Sequence, residues 1–112
     1  MVKKNYIPER GDLVWVNFNP TRGHEQSGKR PALVISTVGY NSKTNLAIVV
    51  PITSKEKGYP FEVGFLSSEI KGVVLSDQVR NIDWKDRKVE FISKINSEAL
   101  KEVRDKLSKL ID

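Results

Sequence analysis

GDLVWVNFNPTRGHEQSGKRPALVIS, residues 11–36, places two apolar runs on either side of a long polar stretch. In DLVWVNF (12–18) and PALVIS (31–36) the residues are mostly Val, Leu, Ile and aromatics, which suit a pleated, half-buried surface. Both runs are shorter than an ordinary helix and are bounded by turn formers, so they read as strands. The same texture recurs outward along the chain in LAIVVPIT (46–53), FEVGFL (61–66), GVVLSDQV (72–79) and KVEFISKI (88–95). Clusters of Asn, Gly, Ser and Pro separate the runs at near-regular spacing, the pattern of a mainly β barrel or sandwich. Pro51 has no N–H to give a ladder, so the run 46–53 is expected to carry an edge or a bulge there. SSEIKG (67–72) is long enough for a helical turn and no more.

The period changes in NSEALKEVRDKLSKLID (96–112), where Leu100, Val103, Leu107 and Leu110 recur at steps of three and four. That spacing predicts an amphipathic C-terminal helix, a lid for the open end of the barrel. Asn96 or Ser97 suits its N-cap, and Glu98 suits its positive first turn. Glu102 with Lys106 and Asp105 with Lys109 stand four apart in the favourable order.

With 112 residues the chain is expected to form a single domain, 1–112, burying about two-thirds of its unfolded surface. It has no cysteine and one histidine, which rules out a disulfide framework and argues against zinc; a reducing, cytoplasmic setting fits. No run approaches the roughly 18 apolar residues of a membrane span. MVKKNYIPERGD lacks the apolar centre of a secretory signal, and none is expected. The formal charge of +5 favours a polyanionic partner, either nucleic acid or an acidic protein segment, although a solvated basic face carries the same charge.

The segment joining the first two runs, Asn19 to Arg30, is twelve residues long, against roughly two to five for most hairpins. It gathers His24, Glu25, Gln26, Ser27, Lys29 and Arg30, more polar chemistry than a turn requires. Arg30 precedes Pro31, which forces an extended backbone and holds the guanidinium at the rigid start of a strand. Each residue also has an ordinary reading. Glu25 could pair with Lys29 or Arg30, His24 could be a hydrogen-bonded loop residue, and Lys29 could be a solvated charge. Trp15 belongs in the core by default, while an aromatic beside cations can also stack a base. Thr53 closes the run 46–53 ahead of a basic loop, KEKGYP (55–60), and sequence spacing does not show whether it meets Arg30.

The segments GDLVWVNFNPTRGHEQSGKRPALVIS, IVVPITSKEKGYPFEV and LSDQVRNIDW resemble, in order and spacing, the MazF/PemK family of toxin endoribonucleases, the mRNA interferases. The most specific element is G-H-E-Q-S-G-K-R-P, residues 23–31. The resemblance implies an SH3-like, partly open β-barrel with short helices, assembled as a homodimer. It further implies cleavage of single-stranded RNA, including mRNA, without a metal or other cofactor, and silencing by a cognate antitoxin, here expected to carry an acidic tail. Carried over residue by residue, the catalytic arginine and threonine fall on Arg30 and Thr53, with Glu25 as a third catalytic candidate. Asp77 and Gln78 match a substrate-contacting segment, and Arg80 lies just beyond. Trp15, Gln26 and Lys29 complete the expected RNA contacts.

Metal-free cleavage uses the ribose 2′-hydroxyl as nucleophile and needs a proton acceptor, charge stabilisation and help for the leaving 5′-oxygen. Arg30 suits the charge, because its planar fork holds two phosphate oxygens, but it is a poor proton donor. Thr53 offers a hydroxyl from a strand end, and Glu25 is the candidate base. The competing reading is an SH3-like binding module, or a toxin that acts by binding a topoisomerase, since fold alone does not fix function.

Overall fold

The first two runs pair as the sequence suggests. β1 (Asp12–Asn17) and β2 (Lys29–Val34) are antiparallel, with Leu13 opposite Leu33 and Val16 opposite Arg30. The structure, a computed structural model, describes residues 6–18 and 28–112. The chain continues through α1 (Val38–Thr44), β3 (Leu46–Thr53), β4 (Glu62–Gly64), β5 (Val73–Leu75), β6 (Arg80–Asp83), β7 (Glu90–Lys94) and α2 (Ser97–Ile111). The strands run in the order β4-β5-β3-β2-β1-β7, every pairing antiparallel, with β6 also bound to β3. The result is the expected mainly β, open, barrel-like sheet with the expected C-terminal helix, joined by a short helix, α1, that the sequence reading did not place. No helix among the described residues is long and apolar enough to cross a membrane.

β3 organises the sheet. One edge pairs with β2, while the other pairs with β6 over Leu46–Val49 and with β5 over Ile52–Thr53. Pro51 stands where these last two partnerships part. The Ile48 carbonyl accepts from Ile35 N–H on the β2 side, so strand alternation turns position 51 toward the β5/β6 side, at the gap. The expected edge is therefore local, and it explains why a proline is tolerated in a central strand.

Both faces of the sheet are covered, so its strands read as nearly continuous apolar runs. One face packs Leu13, Leu33, Val50, Ile52 and Val74 against Ala99 and Val103 of α2. The other packs Val14, Val16, Ala32, Val34, Val49 and Trp84. Each fully buried Val or Leu contributes about 1.5–3 kcal/mol of transfer free energy.

Two expectations are corrected, and two elements that the sequence reading did not place are added. GVVLSDQV is not one strand: β5 stops at Leu75, because the next residue, Ser76, donates its hydroxyl to Phe61 O, and Gln78 N–H turns back onto Leu75 O. The chain then re-enters the sheet as β6, which sequence reading missed because only Ile82 is buried there. α1 was missed as well, since polar contacts and not an apolar stripe hold it. Asn41, fully buried, donates to Pro8 O (2.7 Å) and accepts from Ser36 Oγ, while its carbonyl receives Trp84 Nε1–H (3.0 Å). Residues 67–72 form no helical turn; Ser67 Oγ accepts from the N–H groups of Glu69 and Ile70.

α2 departs from expectation in detail. Asn96 occupies the N-cap, yet its Oδ1 accepts from Leu66 N–H (2.9 Å) and not from the helix. Lys106 lies 4.0 Å from Glu102 as anticipated, whereas Asp105 pairs with Lys101 (3.0 Å) in place of Lys109. Val103 is buried, and Leu110 at the end of the predicted stripe is exposed.

Candidate active site

β2 and β3 are neighbours, paired from Val34 opposite Val49 to Ala32 opposite Pro51. Arg30 and Thr53 each lie two residues beyond that last pair, one on each strand. Alternate residues of a strand share a face. For Arg30 and Thr53 that is the face of Ala32, Val34 and Val49. Arg30, the second residue of β2, is exposed and followed by Pro31. Thr53 closes β3, and its Oγ1 accepts from Lys55 N–H (3.1 Å), which leaves the hydroxyl proton available to a phosphate oxygen. Gly72 packs against this strand end at φ 139, and a Cβ there would come within 2.3 Å of Thr53 O, so only glycine permits the approach. Arg80 opens β6 opposite Val49, with its guanidinium 4.8 Å from the centre of the Phe18 ring. Phe18, Arg30, Thr53 and Arg80 thus rim one face.

Beside Thr53 lies a cleft of about 390 Å³ lined by Lys55, Lys57, Tyr59, Glu62 and Gln78 among others. Tyr59 donates its hydroxyl to Asp77 Oδ2 (2.6 Å). That hydrogen bond is the main cause of a Tyr59 pKa above the ordinary tyrosine value, with desolvation and the Asp77 charge adding to it. Gln78 lines the cleft from the turn between β5 and β6, and Asp77 reaches it through Tyr59, with one carboxylate oxygen held by that hydroxyl and the other buried.

Trp15 and Lys29 stand on the opposite face. Trp15 is half-buried against the cluster that packs on α2, its default reading. Lys29 follows the same alternation and pairs with Glu90 at 3.1 Å. Glu25, Gln26 and His24 lie outside the described residues. Sequence reading overlooked Phe18 as the platform for Arg80 and Glu62 as a member of the cleft. The signal for the first was an aromatic in phase with Val14 and Val16. Among the described residues no three His, Cys, Asp or Glu side chains gather to hold a metal ion.

An open antiparallel barrel with an arginine and a threonine on one face of neighbouring strands, beside a lysine-bearing cleft, defines a class of small basic β-domain. The chain belongs to the PemK-like, MazF-like toxins of type II toxin–antitoxin systems, whose family model matches residues 9–111. It is 45% identical over 106 residues to the endoribonuclease toxin MazF of Escherichia coli K12, covering 95% of this chain and 96% of that one. It superposes on the crystal structure of MazF from Deinococcus radiodurans with a TM-score of 0.85 and 47% identity, over 96% of this chain and 98% of that one. A MazE–MazF complex from the same organism matches with a TM-score of 0.86 and 45% identity, over 95% of this chain and 97% of the matched chain.

Proposed function

We propose that this chain, an endoribonuclease toxin of the MazF-like kind, cuts single-stranded RNA, mRNA included, at short sequences and without a metal ion, and so inhibits translation. The 2′-oxygen bonds to the adjacent phosphorus as the bond from phosphorus to the 5′-oxygen breaks. The 2′-hydroxyl proton passes to a base, for which Glu25 is the candidate, and a proton is delivered to the departing 5′-oxygen. The products are a 2′,3′-cyclic phosphate and a 5′-hydroxyl. Arg30 neutralises the charge that develops on the phosphate, Thr53 donates to one of its oxygens, and Arg80, Asp77 and Gln78 contact the flanking RNA. The observation that supports this reading is that Arg30 and Thr53 fall on the same face of the neighbouring strands β2 and β3, with Thr53 lining the cleft.

Incubation with a long single-stranded RNA in excess EDTA tests it. Cleavage is expected to proceed undiminished, with mass spectrometry of the fragments showing cyclic phosphate and 5′-hydroxyl ends. Cleavage that appears only when Mg²⁺ is restored would overturn the metal-free mechanism, and RNA binding without cleavage would favour a binding module.

The family supports a homodimer and an antitoxin, and the charge of +5 supports an acidic tail on the latter. We infer a homodimer that is neutralised by a cognate antitoxin through an acidic tail, which occupies the cationic cleft as it folds. Sedimentation through a salt series reads both. The toxin alone should sediment at about twice 12.7 kDa at every salt concentration, and its complex with an acidic antitoxin segment should weaken steeply as salt rises. A monomer, or a complex indifferent to salt, would refute the corresponding part.

A further inference from the structure

A cleft proposed to receive a polyanion contains a carboxylate. Glu62 opens β4 and lines the cleft beside Lys55 and Lys57, where an anion should repel RNA. This carboxylate is turned inward. Its Oε2 accepts from Lys57 N–H (3.0 Å), and its Oε1 accepts from Gly58 N–H (3.0 Å) and Tyr59 N–H (3.2 Å). Three successive backbone N–H groups around Gly58, at φ 76, make a concave donor set of the kind that holds anions. Further ties hold the same loop: Lys55 N–H to Thr53 Oγ1, Tyr59 hydroxyl to Asp77, and Lys106 Nζ to Pro60 O at 2.8 Å. Residues 54–58, Ser-Lys-Glu-Lys-Gly, offer no apolar side chain to bury. Local hydrogen bonds therefore have to supply their order.

We propose that Glu62 is a positioning residue for RNA binding: it fixes the loop 54–61 as a wall that presents Lys55 and Lys57 to the RNA backbone. The proposal rests on the RNA-cleavage reading above. Two consequences of removing Glu62 oppose one another. Loss of a surface negative charge should tighten RNA binding by about twofold at physiological salt, since such repulsion is screened. Loss of the fixed wall should weaken it, and on this proposal the second effect wins. A preorganised cationic surface binds better than a mobile one, because ordering the loop on contact costs free energy.

The test compares wild type, Glu62→Ala and Glu62→Gln in steady-state cleavage of a short RNA and in limited trypsin digestion. For Glu62→Ala, KM should rise about tenfold, the scale of one charge-assisted hydrogen bond. Its kcat should stay within about threefold, because Arg30 and Thr53 lie on other elements. Trypsin should cut first after Lys55 and Lys57. Glu62→Gln should fall between, since its amide oxygen still receives two N–H groups while its NH₂ cannot accept from Lys57. The Gln variant, close to isosteric, carries the test alone if the Ala variant does not fold. A KM for both variants equal to or below that of wild type would show that Glu62 is only a solvated charge and would overturn the proposal. If wild type itself cuts no RNA, the proposed function falls, while the trypsin pattern still decides whether Glu62 holds the loop.

Discussion

Arg30→Ala is expected to lower the single-turnover rate of RNA cleavage by roughly 10²–10³-fold, the usual cost of deleting one donor aimed at developing charge. The expectation follows from placement. Arg30 sits inside a paired strand, opposite Val16 on β1 and on the same face as Thr53 of the neighbouring β3, and is followed by a proline that restricts its backbone. A backbone held this way leaves only the side-chain rotamers to be ordered on the phosphate, and two parallel N–H groups can follow the phosphate oxygens as they gain charge. Arg30→Lys separates charge from geometry: it keeps the cation but loses the planar fork, so only a minor part of the rate should return. Both variants should unfold close to wild type, because Arg30 is exposed and outside both apolar clusters. RNA affinity should fall less than the rate, since Lys55, Lys57 and Arg80 share the backbone contact. Near wild-type cleavage by the folded Ala variant at saturating enzyme would remove Arg30 from the mechanism.

The parts of the fold that could be read beforehand are those whose strands are buried on both sides. β1, β2 and β3 announce themselves as runs of Val, Leu and Ile because each face meets an apolar cluster. The parts that could not be read depend on contacts distant in sequence. Ser76 ends β5 by reaching Phe61, and α1 is secured by Asn41, which binds Pro8 and Trp84. A polar helix of seven residues, Val38–Thr44, leaves no apolar period to detect.

The site divides along the same line. The resemblance pointed to Arg30 and Thr53, but only the pairing of β2 with β3 brings their strands side by side with both residues on one face. Lys29 and Arg30 are neighbours in a strand, and neighbours in a strand face opposite ways. Once residue 29 is inside β2, both cations cannot address the same phosphate, and Lys29 turns to Glu90. The same alternation separates Trp15 from Val14 and Val16, which places it on the face away from Arg30.

The largest effect expected of any single change lies in the substrate. A short RNA with one 2′-deoxyribose immediately 5′ to the cut bond should show no detectable cleavage there, while its affinity should stay within about twofold of the all-ribose RNA. On the proposed mechanism the missing oxygen is the nucleophile, and Thr53, the hydroxyl that shares a face with Arg30 among the described residues, does not take its place. Thr53 is engaged with Lys55 N–H, and its hydroxyl is suited to donate to the phosphate. A deoxyribose one nucleotide to either side should matter far less, because there it removes at most one hydrogen bond, worth about 0.5–1.5 kcal/mol. That asymmetry separates the chemical role of the hydroxyl from its role in recognition. It also separates internal attack from hydrolysis, in which water attacks phosphorus and the 2′-position does not react. If the deoxy substrate is still cut at the same bond and yields a linear phosphate end, water is the nucleophile. Arg30 and Thr53 would then serve a hydrolytic reaction, and the cyclic product would have no place in it.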